Sequence, residues 1–239
     1  MRYLYLGLML WVLSFSPLSS AATITIVTDK WDGYSNADGS GYYLELMKAI
    51  YSAEGVEVSV KQVPYARSME MVATNKADVV LGIYPGEKFT GTYAKHPLNI
   101  DIIDAALTPA FASTWVDINS LADKKVGAVR GWGFDAYVPV KMRYKEYSSL
   151  KPLLKMLNNG RVDAVLATEV DIKASASGNN FVIKKAVIVN SAYAVFASSN
   201  NAKKMLAIFD AGIVKLHDSG QLRAIMTKNL NSLESYPFQ

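Results

Sequence analysis

Cysteine is absent from this chain of 239 residues, and histidine occurs only twice. Without cysteine there is no disulfide, thiolate metal site, cysteine nucleophile or lipid-bearing cysteine. His96 and His217 stand far apart, each without a second imidazole or an acid at ligand spacing, so no metal site is expected. Nor is charge of one sign massed anywhere. Lysine and arginine are interleaved with acids, which excludes the basic block of a nucleic-acid binder. The chain has no Ser-His-Asp ordering, no G-x-S-x-G and no H-E-x-x-H, so no hydrolase signature is present. Beyond the N-terminus no segment is long and apolar enough to span a bilayer.

What is present is a core. A hydrophobic share of 51% against 19% charged residues fits a folded chain and argues against disorder. Part of that share belongs to residues 1–22. Arg2 gives a positive start, LGLMLWVLSFSPL an apolar stretch, and Ser19-Ser20-Ala21-Ala22 a small-residue cleavage site. This pattern is that of a cleaved secretory signal peptide, and the periplasm is the expected location, without a lipid anchor. Loss of Arg2 leaves 24 basic against 21 acidic side chains, a net charge of +3. An exported chain without disulfides must be held by its core alone.

One phrase occurs twice. Residues 71–82 read MVATNKADVVLG and residues 156–167 read MLNNGRVDAVLA. Each has an apolar helical tail, a polar turn, an Asp and a short apolar strand. Such a strand reads as buried on both faces and fed by a helix, as in a parallel α/β sheet. Two such units about 85 residues apart point to two similar lobes, with a small-molecule cleft between them.

The rest of the chain fits that plan. Residues 22–28 alternate as a strand, 29–41 form a Gly-rich loop, and 42–55 read as an amphipathic helix stopped by Gly55. A second strand spans 56–63, and Pro64 opens a helix into the first repeat. Residues 102–113 read as an extended crossing into the second lobe. KKVGAVRGWGFDAY (124–137) reads strand, tight turn and helix start. Residues 181–198 return the chain to the first lobe, and two amphipathic helices end it. The expected division is residues 23–107 plus 195–239 for lobe 1 and 108–194 for lobe 2. The two crossings would form a hinge.

In this order, ITIVTD, GYYLELMKAIYSAEG, KADVVLG, LADKKVGAVRGWGFDAY, NGRVDAVLATEVDI and FDAGIVKLHDSGQLRAIMTK resemble the family 3 extracytoplasmic solute-binding proteins of amino-acid transport. The resemblance spans about 200 residues. It implies a type II periplasmic-binding-protein clamshell, two α/β lobes joined by two hinge crossings, acting as a monomer. It also implies a binding role without a cofactor, delivering a small molecule such as an amino acid or related carboxylate to an ABC transporter permease. A membrane receptor is the partner if the protein is a free-standing sensor. The family's carboxylate-gripping arginine falls where this chain has PGEK, so Lys88 stands nearest. Its ammonium-binding aspartate falls at Thr168, with Glu169 beside it. A divergent subgroup is closer, with an aromatic in the first loop (Trp31, Tyr34), Tyr65-Ala66-Arg67 before the repeat and Glu87 after it.

The residues themselves support a cleft at these places. Trp31 and Tyr34 lie in the loop after the first strand, where α/β ligands bind. Arg67 sits at the wrong end of a helix dipole and needs a partner, either a ligand anion or a carboxylate such as Glu45 or Glu70. Gly131-Trp132-Gly133 can present backbone N–H groups to an anion, with Arg130 alongside. Gly82 and Tyr84 follow the first repeat, and Thr168 and Glu169 the second, so both edges should line one cleft. Asp78 and Asp163, at the far ends, read as structural bonds to turn N–H groups. The enzyme alternative on the same fold is a lyase of the cyclohexadienyl dehydratase type. It would need Glu169 or Glu87 as a carboxyl acid of raised pKa.

Overall fold

The computed structural model describes residues 22–178 and 180–238. The leader read at residues 1–22 lies outside the described residues, except for Ala22. Strand β1 (Thr23–Thr28) buries Ile24 and Ile26, and pairs in parallel with β2 (Glu57–Gln62) and β3 (Val79–Ile83). Helix α1 (Tyr42–Ser52) connects β1 to β2 and buries Tyr42, Tyr43, Leu46, Met47, Ile50 and Tyr51. Its exit needs the left-handed backbone that Gly55 supplies at φ 68°. Helix α2 (Tyr65–Ala73) leads into β3; the Tyr65 N–H at its start donates to Asp29 Oδ2 at 2.9 Å. That bond ties the loop after β1 to the helix before β3.

Strand β4 (Thr92–Tyr93) and the long β5 (Asn99–Leu107) follow. The extended stretch expected over 102–113 stops at Leu107. Thr108 then caps a short helix α3 (Pro109–Ala112), its side chain accepting the Phe111 N–H, with Pro109 at the first helical position. The second half holds β6 (Lys125–Val129), β7 (Arg143–Tyr147), α4 (Leu150–Asn158), β8 (Ala164–Ala167) and α5 (Glu169–Ser175). Then come β9 (Val182–Phe196), α6 (Asn200–Asp218) and α7 (Gln221–Leu230).

The strands run in the order β2-β1-β3-β9-β5-β8-β6-β7, with β4 also on β9. The two repeat strands were expected in parallel surroundings. Each has one parallel neighbour (β1 for β3, β6 for β8) and one antiparallel neighbour, the crossing strands β9 and β5. The crossings pair with each other from Asn99↔Ala192 to Leu107↔Val182. Their ladder shifts register between Ile103 and Ala105. There the buried Asp104 Oδ1 accepts the N–H of Ala186 at 2.8 Å, and Ala186 sits at φ 52°.

Apolar side chains gather on either side of these crossings, and their burial is the main favourable contribution to folding. One cluster draws on residues 24–98 and 194–236; the others draw on Tyr84 and residues 103–192. The register also sets the strand directions. β3 runs from Phe196 towards Tyr193 along β9, while β8 runs from Leu107 towards Asp104 along β5. The C-terminal ends of the two repeat strands therefore point at each other. Among the described residues no helix is long and apolar enough to cross a membrane.

Candidate binding site between the lobes

The edge after β3 is aromatic and acidic. Trp31 is half-buried and packs edge-on against Tyr43 and Tyr65, with centroids 6.2 and 5.9 Å away. Its indole lies over Gly82, where a Cβ would come within 3.1 Å; Gly82 has φ 81°. Glycine is required there twice, for the turn and for the close approach. Tyr34, also half-buried, packs on Tyr42 and Tyr43. The buried Tyr84 donates its hydroxyl to Asp101 Oδ2 at 2.7 Å, and its N–H to Glu87 Oε1 at 2.8 Å. Tyr65 donates to the same Glu87 carboxylate at 2.7 Å. Burial drives the Glu87 carboxyl above its ordinary range, and the bonds from Tyr84 and Tyr65 offset only part of that.

Asp101, on the crossing strand β5, accepts a second bond from Asn99 Nδ2 at 2.6 Å, and Tyr43 in turn donates to Asn99 Oδ1 at 2.5 Å. Asp101 too is pushed up, by burial first and by the charge of Asp171 as a smaller cause. Asp171 belongs to the other side, on α5. Burial raises its carboxyl, with Asp32 of the loop after β1 adding to the effect. The Tyr34 phenol is raised chiefly by its burial, with the charges of Asp101 and Asp171 adding to the effect. Neither Asp101, Asp171 nor Glu87 forms an ion pair among the described residues.

Apart from the charge of Asp171, the edge after β8 is held by its own bonds. Thr168 caps α5, accepting the Asp171 N–H at 3.1 Å and donating its hydroxyl to Asp171 Oδ2 at 2.7 Å. Glu169 is held by Lys173 at 3.0 Å and by Lys185, and these bonds lower its pKa. A carboxylate so held is poorly suited to donate a proton, which leaves Glu87 of the two acids the lyase alternative named. The Gly131 and Gly133 N–H groups both donate, at 3.0 Å, to the two oxygens of Glu146 from β7. The anion expected at this turn is therefore the protein's own. Trp132 is half-buried against Phe134, 5.4 Å between rings. Tyr137 beyond it meets Tyr84 edge to face at 5.4 Å and is pushed up to about 12 by burial and by Glu87.

Three basic residues form no ion pair with these carboxylates among the described residues. Arg67 is exposed and pairs with Glu70 at 2.6 Å, the structural partner named for it above. Lys88 and Arg130 are exposed. Among residues not singled out from the sequence, Asp101 and Asp171 carry the site's charge. The signal for Asp101 was a carboxylate in the largely apolar strand NIDIIDAAL, which it shares with Asp104; that for Asp171 was its place three residues after a threonine cap. Asp78 and Asp163 do not make the expected bonds to the N–H groups of their own turns. Each carboxylate accepts an N–H of the adjacent parallel strand, from Thr25 and Lys125, both at 2.8 Å.

This arrangement is the type II periplasmic-binding-protein clamshell. No protein-family model matches the chain, and no curated protein does. Solved structures do match. An amino acid ABC transporter substrate-binding protein, AbpA from Streptococcus pneumoniae, bound to L-arginine, superposes with TM-score 0.66 at 20% identity, covering 88% of this chain and 95% of that one. The ancestral amino acid-binding protein AncCDT-1, a precursor of cyclohexadienyl dehydratase, gives 0.67 at 16% identity over 87% and 95%. A histidine kinase sensor domain with similarity to periplasmic binding proteins gives 0.66 at 19% identity over 90% and 97%.

Proposed function

We propose that the protein is an exported solute-binding protein. It captures a small polar or charged molecule between lobe 1 (23–107 plus 195–239) and lobe 2 (108–194) for a membrane transporter. Trp31, Tyr34, Gly82, Tyr84, Lys88, Arg130, Gly131, Trp132, Thr168 and Glu169 belong to the edges that face the ligand. Arg67, committed to Glu70, contributes least. The observation that carries the reading is that Asp101 on β5, held by Tyr84 and Asn99, and Asp171 on α5, held by Thr168, both lack a countercharge among the described residues. Half-buried carboxylates of that kind favour a ligand bringing a positive group, and the aromatic rings around them suit its apolar stem.

The neighbour that binds L-arginine supports this reading, and it makes L-arginine the first compound to try. Thermal unfolding of the mature chain should be measured with L-arginine, other amino acids, diamines and small carboxylates. Cationic compounds should raise the transition temperature with concentration. Asp101→Asn should then weaken that compound at least tenfold, about 1.4 kcal/mol, and Trp31→Ala by about 10- to 100-fold. Stabilisation by anions alone would sink the cation reading; stabilisation by none of these compounds would sink the binding role. Conversion of prephenate or arogenate, lost in Glu87→Gln, would instead make the protein a lyase.

A further inference from the structure

Tyr84 is fastened to lobe 1 and to a crossing strand by each of its polar groups, yet its ring lies in the core of the other lobe. Its N–H donates to Glu87 Oε1 at 2.8 Å, and its carbonyl accepts the Tyr93 hydroxyl at 2.9 Å. Its own hydroxyl donates to Asp101 Oδ2 of β5 at 2.7 Å. Glu87 is held in turn by the Tyr65 hydroxyl from the start of α2. The ring nonetheless belongs to the apolar cluster of Phe111, Leu121, Val126 and Phe134, all from the stretch between the two crossings. There it meets Tyr137 edge to face, with centroids 5.4 Å apart and planes at 85°. Tyr137 is set independently. It ends a single-turn helix, Phe134–Tyr137, that follows the Gly131-Trp132-Gly133 turn. Two side chains of β7 fix that turn: Glu146 accepts the Gly131 and Gly133 N–H groups, and the Tyr144 hydroxyl accepts that of Phe134 at 3.3 Å.

We infer that Tyr84 and Tyr137 form a clasp between the lobes, one that favours their closed arrangement before any ligand arrives. Each ring is positioned by its own side, so little side-chain freedom is lost when they pair. Because each moves with its own lobe, opening at the crossings parts them. An edge-to-face pair is attractive beyond the area it buries, yet weak enough to bias the balance without locking it. A ligand that binds the closed lobes meets more competent molecules when the clasp is intact, and its apparent affinity gains by that fraction. The clasp presumes the lobe division proposed above, but its test uses no ligand, so clasp and binding role can fail separately.

The absence of cysteine makes the test direct. Ser52→Cys at the exposed end of α1 and Lys151→Cys at the exposed start of α4 place one spin label on each lobe. Double electron–electron resonance on the ligand-free mature chain then reads the separation of the lobes. In Tyr137→Ala the ratio of a second, open separation to the parent one should rise about 2- to 10-fold. Tyr137→Leu, which keeps apolar bulk for lobe 2 but offers no ring, should shift the ratio the same way. Tyr137→Phe, which keeps the ring, should match the parent. Parent-like distributions in both Tyr137→Ala and Tyr137→Leu would overturn the clasp, as would a Tyr137→Phe variant as open as Tyr137→Ala. A shift in Tyr137→Ala that Tyr137→Leu abolishes would overturn ring pairing as its cause.

Discussion

The two repeated units agree at one end and diverge at the other. In the first, the Lys76 N–H donates to Met71 O at 2.7 Å after Asn75 at φ 55°; in the second, Arg161 donates to Met156 O at 2.9 Å after Gly160 at φ 67°. Asp78 and Asp163 then bond the neighbouring parallel strand at equal distance. These turns share one geometry because each must reverse a helix into a strand in few residues, and a left-handed residue does that at least cost when it is Asn or Gly. Past the strands the likeness ends. Gly82 admits the Trp31 indole and leads to Glu87 and Tyr84, whereas Ala167 leads to a capped helix and a glutamate held by two lysines. The stem of the repeat answers to folding; its tips carry the residues of the proposed site.

Equal stems predict equal costs. Leu81 and Leu166 occupy the same place in the two repeats, and both are fully buried, in separate clusters. Each change to Ala should cost about 2–5 kcal/mol by lost transfer and a cavity. Urea unfolding of the two variants checks this. A loss under about 1 kcal/mol in one of them would break the equivalence of the cores.

Unequal tips predict unequal costs at the next position. Gly82→Ala forces a side chain into the left-handed region, about 1–2 kcal/mol, and drives the Trp31 indole from its seat. The reciprocal Ala167→Gly removes only a methyl and adds backbone freedom, about 0.5–1 kcal/mol. Tryptophan fluorescence should shift in the first variant and not in the second. A shift in both would mean that the indole is not set by Gly82.

How far could the chain be read without coordinates? The repeats, the order of elements and the terminal helices were legible because periodicity and turn residues act locally. The parallel surroundings of β3 and β8 were only half right. Nothing local in VVLG or AVLA shows that an antiparallel crossing strand lies on the other side. At the site, Trp31 and Gly82 could be named separately, but not their contact, which depends on the loop fastened by Asp29 to Tyr65. Glu146 as the anion at Gly131 and Gly133 was beyond sequence reading for the same reason: it arrives from β7, paired in register beside β6.

The smallest effect separates the two edges by pH. Glu87 has a folded pKa raised by burial, so its contribution to stability is fully present below its ordinary carboxylate value, near 4.5, and is lost as pH rises through the folded one. Glu169 has a folded pKa lowered by Lys185 and Lys173, so its contribution is present above that ordinary value and is lost as pH falls. Glu87→Gln removes a charge that is costly when buried. Its amide can still accept the Tyr84 N–H, and Tyr65 can turn to the Gly82 carbonyl, 3.4 Å away. It should therefore be at least as stable as the parent at pH 7 and lose that advantage below pH 4. Glu169→Gln should be less stable at pH 7, by under about 1 kcal/mol because its lysines are solvent-exposed, and equal to the parent in acid. Two unfolding series over pH 3–8 decide it, and slopes of the same sign would erase the contrast between a buried carboxylate without a countercharge, Glu87, and one neutralised by two lysines, Glu169.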